Sequence, residues 1–185
     1  MATLAISSGH LKYFVWGKIQ IRGRIYQISP IMERDRGEVC ALLNGQKERV
    51  DRLIQTHLQG EPWSGYVLRD ETDRLAGLWT LEYGMSAKEL LVTRVLSPDY
   101  ENKGITNAAW RWTTDLFLPA LYKRGAAVRE VPMEFVTIVA YLRPEDKLTQ
   151  HKITQAGLRA VSNRNIPGFG VRYIYECRVD ELLKI

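Results

Sequence analysis

The run Val95–Ala109 (VLSPDYENKGITNAA) is the part of the chain best suited to chemistry. An apolar strand end leads into a short polar loop, and an amphipathic segment begins after Gly104. The first amides of a helix have no partners inside it, and the helix dipole adds partial positive charge there. A helix entered in this way can therefore hold a phosphate or diphosphate. Glycine at position 104 lets the backbone come close to such a ligand, and Lys103 adds a cation. The same residues also make a plain strand-to-helix turn that needs a glycine and binds nothing.

Hydrophobic periodicity supplies the elements that position this run. Residues 1–18 read as an accessory arm or strand, and Ile19–Ile31 as one strand or two short ones. Asp35–Asn44 and Glu48–Leu58 read as amphipathic helices, the second with Val50, Leu53, Ile54 and Leu58 on one face. Trp63–Arg69 and Leu75–Tyr83 read as strands joined by a hairpin turn at Asp70–Asp73, and Glu89–Leu96 as a third. A helix over Thr106–Tyr122 follows, with Pro119 bending its last turn. Phe135–Leu142 is almost wholly apolar, as a strand covered on both faces must be. A helix over Glu145–Ala156 stops at Gly157, Asn163–Gly170 reads as a loop able to close over a ligand, and Val171–Val179 alternates as a last strand.

Composition narrows the classes. A chain of 185 residues, 45% hydrophobic and 25% charged, suits one α/β (α+β) domain over residues 1–185. The net charge of +5 comes from interspersed residues with no run of like charge, which gives no nucleic-acid-binding tail. Two cysteines far apart, Cys40 and Cys177, supply neither a disulfide framework nor a metal site. Met1–His10 lacks the character of a secretory leader and no apolar run is long enough for a bilayer, so the expectation is a cytoplasmic protein with no membrane partner. Trp110 and Trp112 are two apart on one helix, so one should face the core and the other stay exposed, a surface suited to a homodimer.

In Val95, Pro98, Tyr100, Lys103, Gly104 and Ile105 the first run resembles the coenzyme A signature of the GNAT acyltransferase superfamily. Two positions depart from it: Glu101 stands where the family has Gln or Arg, and Thr106 where it has Gly or Ala. The resemblance implies a mixed, mostly antiparallel central sheet flanked by helices, with parallel fourth and fifth strands (Glu89–Leu96 and Phe135–Leu142) splayed apart. It also implies acetyl-CoA or another acyl-CoA as donor, with acyl carrier protein as a possible substitute and no metal. The acyl group would pass directly to a small-molecule or protein amine. Residues Arg94, Val95, Leu96, Glu101, Asn102, Lys103, Gly104, Ile105, Thr106 and Asn107 would line the donor. The Thr106 hydroxyl could cap the helix or donate to a phosphate oxygen.

Beyond the fifth strand the resemblance gives Asp146 and Thr149 the family's polar roles, but places Ile153 where a tyrosine would protonate the leaving thiolate. His151 on the same helix, or Tyr173 on the last strand, could act as acid in its place. For the base, Glu82 and Glu89 are the carboxylates nearest the mouth of the implied cleft; each is as readily a surface or strand-end residue. A domain that binds acyl-CoA or a protein without catalysing transfer fits the missing tyrosine equally.

Overall fold

The computed structural model describes residues 3–5, 16–21, 23–166 and 170–184. Two compact units emerge, one of Met1–Glu82 with Thr93–Arg124, the other of Tyr83–Val92 with Gly125–Ile185.

The first unit holds β1 (Thr3–Ala5), β2 (Trp16–Ile21), β3 (Arg24–Pro30), β4 (Gly65–Arg69), most of β5 (Leu75–Tyr83) and the later half of β6 (Glu89–Leu96). Neighbours from β1 to β5 pair antiparallel. The segment expected as one strand or two over Ile19–Ile31 is two, turning at Gly23 with φ of 80°. Most of the accessory arm expected before residue 18 lies outside the described residues. Helices α1 (Arg36–Leu42) and α2 (Lys47–Leu58) bury Val39, Val50, Leu53 and Ile54 against Ile31, Leu43, Val67 and Leu78. The spacing 50, 53, 54 is one face of a helix, and Val67 and Leu78 stand on one face of their strands.

On the opposite face, Tyr66 meets the helix expected over Thr106–Tyr122. That helix is interrupted: α3 (Ile105–Trp112) and α4 (Leu118–Lys123) flank a π turn at Thr113–Phe117, where the Leu118 amide bonds to the Thr113 carbonyl five residues back. Pro119 has no amide proton and its ring would strike the carbonyl four residues earlier, so the turn widens just before it. Trp112 and Phe117 then pack with ring centres 4.8 Å apart, and Tyr66 lies 5.0 and 5.2 Å from them. Trp112 is buried, as expected of one tryptophan; the other is not exposed, because Trp110 is half-buried edge-on to Trp79 at 6.3 Å.

In the second unit the first residues of β6 run parallel to β9 (Thr137–Leu142), from Glu89 opposite Thr137 to Leu91 opposite Val139. Both strands continue beyond those pairs. On its other side β9 pairs antiparallel with β11 (Gly170–Arg178), which pairs with β10 (Arg159–Ile166). The pairing is therefore mixed and mostly antiparallel with helices around it, as the resemblance implies. A short hairpin, β7 (Ala127–Val128) and β8 (Val131–Pro132), precedes β9. Helix α5 (Lys147–Gln155) ends before Gly157, whose φ is 97°, and α6 (Val179–Leu183) follows β11. One expectation is corrected here: Asn163–Ile166 is not loop but the end of β10, because Asn163 to Ile166 pair with Tyr173 to Gly170. Residues 167–169 lie outside the described ones.

At the end of β4, Arg69 is buried and donates to fully buried Asp35 at 2.8 Å, to Glu38, and to the Asp73 carbonyl at 2.6 Å. Asp35 also accepts the Met32 amide at 2.8 Å. Both charges thus have partners, which burial requires, and the pair ties the start of α1 to the β4–β5 turn. Arg69→Ala leaves the Asp35 carboxylate buried without its counter-charge. Its unfolding free energy, measured in urea, should fall by about 3–5 kcal/mol.

Candidate active site

The loop from β6 to α3 is held by the chain's own contacts. Ser97 donates its amide to the Ala76 carbonyl at 3.0 Å, and a 3-10 turn at Pro98–Tyr100 sends the Tyr100 ring into the core. There it meets Tyr26 edge-on at 6.3 Å, and its hydroxyl donates to Asp70 Oδ2 at 2.5 Å. The other oxygen of Asp70 accepts from the Thr72 amide and hydroxyl and the Arg74 amide. These bonds favour the ionised form, so Asp70 titrates at about 2, chiefly through Tyr100, whose own phenol is pushed up to about 12 by burial and then by Asp70. The Lys103 ammonium lies 5.1 Å from the centre of the same ring.

Gly104 caps α3 in the left-handed region at φ of 81°, and a Cβ there would stand 3.3 Å from Ile21 Cγ2 of β2. Both constraints select glycine. Among the described residues no side chain caps this helix, and its first turn holds no acid. The Ile105, Thr106 and Asn107 amides precede the first intrahelical bond, which Ala108 makes to the Gly104 carbonyl at 3.2 Å. Thr106 does not cap the helix; its hydroxyl accepts a hydrogen bond from Arg94 on β6. Glu101 is exposed and Asn102 holds φ of 59° in the loop. Val95 packs against the α1–α2 core, while Leu96 covers Gly77, where a Cβ would come within 2.7 Å of it. From Leu91 to Leu96 every residue of β6 is half-buried, whereas β5 is fully buried from Ala76 to Leu81.

Glu82 stands in a polar cluster of the first unit. Its Oε1 accepts from Arg49 at 2.5 Å and from the Thr80 hydroxyl at 2.9 Å, and Arg52 lies 3.7 Å from its Oε2. Thr93 of β6 accepts from the same Arg49 nitrogen at 2.9 Å and lies 2.6 Å from Thr80 Oγ1. Arg49, Thr80 and Thr93 escape sequence reading because hydroxyls and a helix arginine carry no pattern. Thr80 shares a strand with Glu82, the neighbouring of β5 and β6 in the sheet brings Thr93, and α2 brings Arg49.

The remaining candidates belong to the second unit. Glu89 receives the Met85 and Ser86 amides on Oε2, at 3.0 and 3.1 Å, and so caps the turn that precedes β6. Asp146 caps α5 by accepting the Thr149 amide at 3.0 Å, and Thr149 is buried. His151 is exposed, Ile153 half-buried, and Tyr173 half-buried with the Lys147 ammonium 5.6 Å from its ring centre. A phenol absent from the expected set, Tyr141 of β9, is half-buried, and burial, then Glu89, raises its pKa.

Because Asp70 is ionised in the fold down to about pH 2, its bonds contribute stability that is complete above the ordinary carboxylate range. That stability disappears as pH falls from about 4 to 2. Tyr100→Phe removes the largest contributor. The urea midpoint of the variant should therefore be lower than that of the parent at pH 6, with the difference shrinking towards pH 2.

No family model matches the sequence, and no curated protein matches it. Solved structures do. RimJ from Mycobacterium smegmatis, in complex with CoA-disulfide, aligns with a TM-score of 0.66 at 13% identity over 90% of this chain and 88% of that one. A dodecameric spermidine N-acetyltransferase from Vibrio cholerae aligns at 0.60, with 13% identity over 85% and 96%. An acetyltransferase of the GNAT family from Listeria monocytogenes aligns at 0.59, with 12% identity over 86% and 98%. Identities this low speak for architecture, and the architecture agrees with the signature residues around Gly104: the chain has the GNAT acetyltransferase fold.

Proposed function

We propose that the protein is an N-acyltransferase that moves an acetyl or other acyl group from acyl-CoA to a primary amine by direct attack. The observation that carries this reading is the start of α3. Three consecutive amides free of side-chain caps follow a left-handed glycine, with Lys103 and the Arg94 guanidinium beside them. A diphosphate fits this set: the amides donate, the cations neutralise, and the bare Cα of Gly104 lets the backbone approach. That a protein of the same fold is known with CoA-disulfide supports the choice of ligand.

When bound, the donor supplies an activated thioester. The chain supplies position and charge. The half-buried stretch Thr93–Leu96 of β6 offers a strand along which the pantetheine arm can lie, with backbone amides to orient the carbonyl. Of the carboxylates, Glu82 is the one on the first unit's sheet beside β6, and it serves as the base. Glu89 is engaged by two amides of its own turn. His151 and Tyr173 belong to the second unit, and the leaving thiolate takes its proton from water. The amine class is in keeping with the spermidine acceptor of the Vibrio protein, and acyl carrier protein would be accepted as donor only if its phosphopantetheine reached the same strand. A second reading, an acyl-CoA-binding domain without turnover, is favoured by Ile153 in place of a phenol.

Thiol release from acetyl-CoA in the presence of an amine panel, together with calorimetric titration of CoA, separates the two. Turnover with at least one amine supports transfer, whereas tight CoA binding with no turnover supports the sensor. Gly104→Val, strained by its positive φ and crowding Ile21, should weaken CoA binding at least about tenfold while the far-UV spectrum stays that of the parent.

A further inference from the structure

We infer that Thr93 and Thr80 form a two-hydroxyl relay that carries the amine proton to Glu82, an inference that rests on the acyl-transfer reading above. Hydrogen-bond bookkeeping fixes its direction. A threonine hydroxyl has one hydrogen to give and two lone pairs. Thr80 spends its hydrogen on Glu82 Oε1 at 2.9 Å. The 2.6 Å contact between the two threonines must then be filled by the hydrogen of Thr93. The Arg49 nitrogen, with two hydrogens, donates to both ends of the chain, Glu82 at 2.5 Å and Thr93 at 2.9 Å. Among the described residues none fills the second lone pair of Thr93 Oγ1.

That open lone pair belongs to a half-buried residue two positions past Leu91, the last residue of β6 paired to β9, and one position before Arg94, which reaches the α3 start. As the amine nitrogen bonds to the thioester carbon, the carbonyl pair moves to oxygen and the nitrogen gains positive charge. Its proton passes to Thr93 Oγ1, the Thr93 proton to Thr80 Oγ1, and the Thr80 proton to Glu82 Oε1. Both hydroxyls are restored and the carboxylate becomes a carboxylic acid. The C–S bond then breaks, and sulfur leaves with the electron pair and takes a proton from water. Glu82 returns its proton to water, and the sum is amine plus thioester giving amide plus thiol. The charged groups facing Glu82 are Arg49 and Arg52, both from α2; its own strand and β6 present the two hydroxyls.

The test compares the parent with Thr93→Val, Thr80→Val, Thr93→Ser and Glu82→Gln in the full chain, for CoA affinity, melting temperature and kcat. Both valine variants and Glu82→Gln should lose about 100-fold in kcat, with CoA affinity unchanged, and Thr93→Ser should restore the parent's rate. A Thr93→Val enzyme with the parent's rate, or a Thr93→Ser enzyme as slow as Thr93→Val, overturns the relay alone. A parent that binds CoA and acylates no amine overturns the transfer reading and the relay with it.

Discussion

Two polar clusters of the first unit depend on the alternation of one strand. Successive side chains of a β-strand point to opposite faces, and β6 exploits this at Thr93 and Arg94. Thr93 joins Glu82, Thr80 and Arg49 on the face that α2 covers, with Val95 following it into the α1–α2 core. Arg94 turns the other way and meets Thr106 at the start of α3. The Glu82 cluster and the start of α3 are thereby tied to neighbouring residues of a single strand, on opposite sides of the sheet. A slip of one residue in the register of β6 would exchange the two sets and dissolve both.

The loop between β6 and α3 is held by a different device. Tyr100 is a core residue by burial and a polar one by its hydroxyl, and the bond to Asp70 joins the loop to the β4–β5 turn. Asp70 at the same time closes that turn through Thr72 and Arg74. The start of α3 is thus held in place from the β4–β5 turn.

Much of this was legible in the residues. The 3.6 period located α2, which buries one face, and the apolar run over Phe135–Leu142 located β9; Gly104 stood out as the glycine between a strand end and a helix, and its positive φ beside Ile21 accounts for it. What the sequence hid depends on long-range pairing. Strand β10 is exposed along nearly its whole length, so it has no apolar alternation to betray it and exists through its ladder to β11. Thr106 looked like a cap or phosphate donor, and its bond to Arg94 spans twelve positions. Glu89 resembled a base, but its carboxylate is drawn to local amides that no spacing rule reveals.

The π turn before Pro119 has an effect beyond its own residues. In an uninterrupted α-helix, positions 112 and 117 would be rotated roughly 140° apart, and one of the two rings would look away from the sheet. Widening one turn winds back that rotation, so Trp112 and Phe117 share a face at 4.8 Å. The proline therefore works as a vernier, letting the Gly104 end of this long segment and its aromatic end each choose their own azimuth.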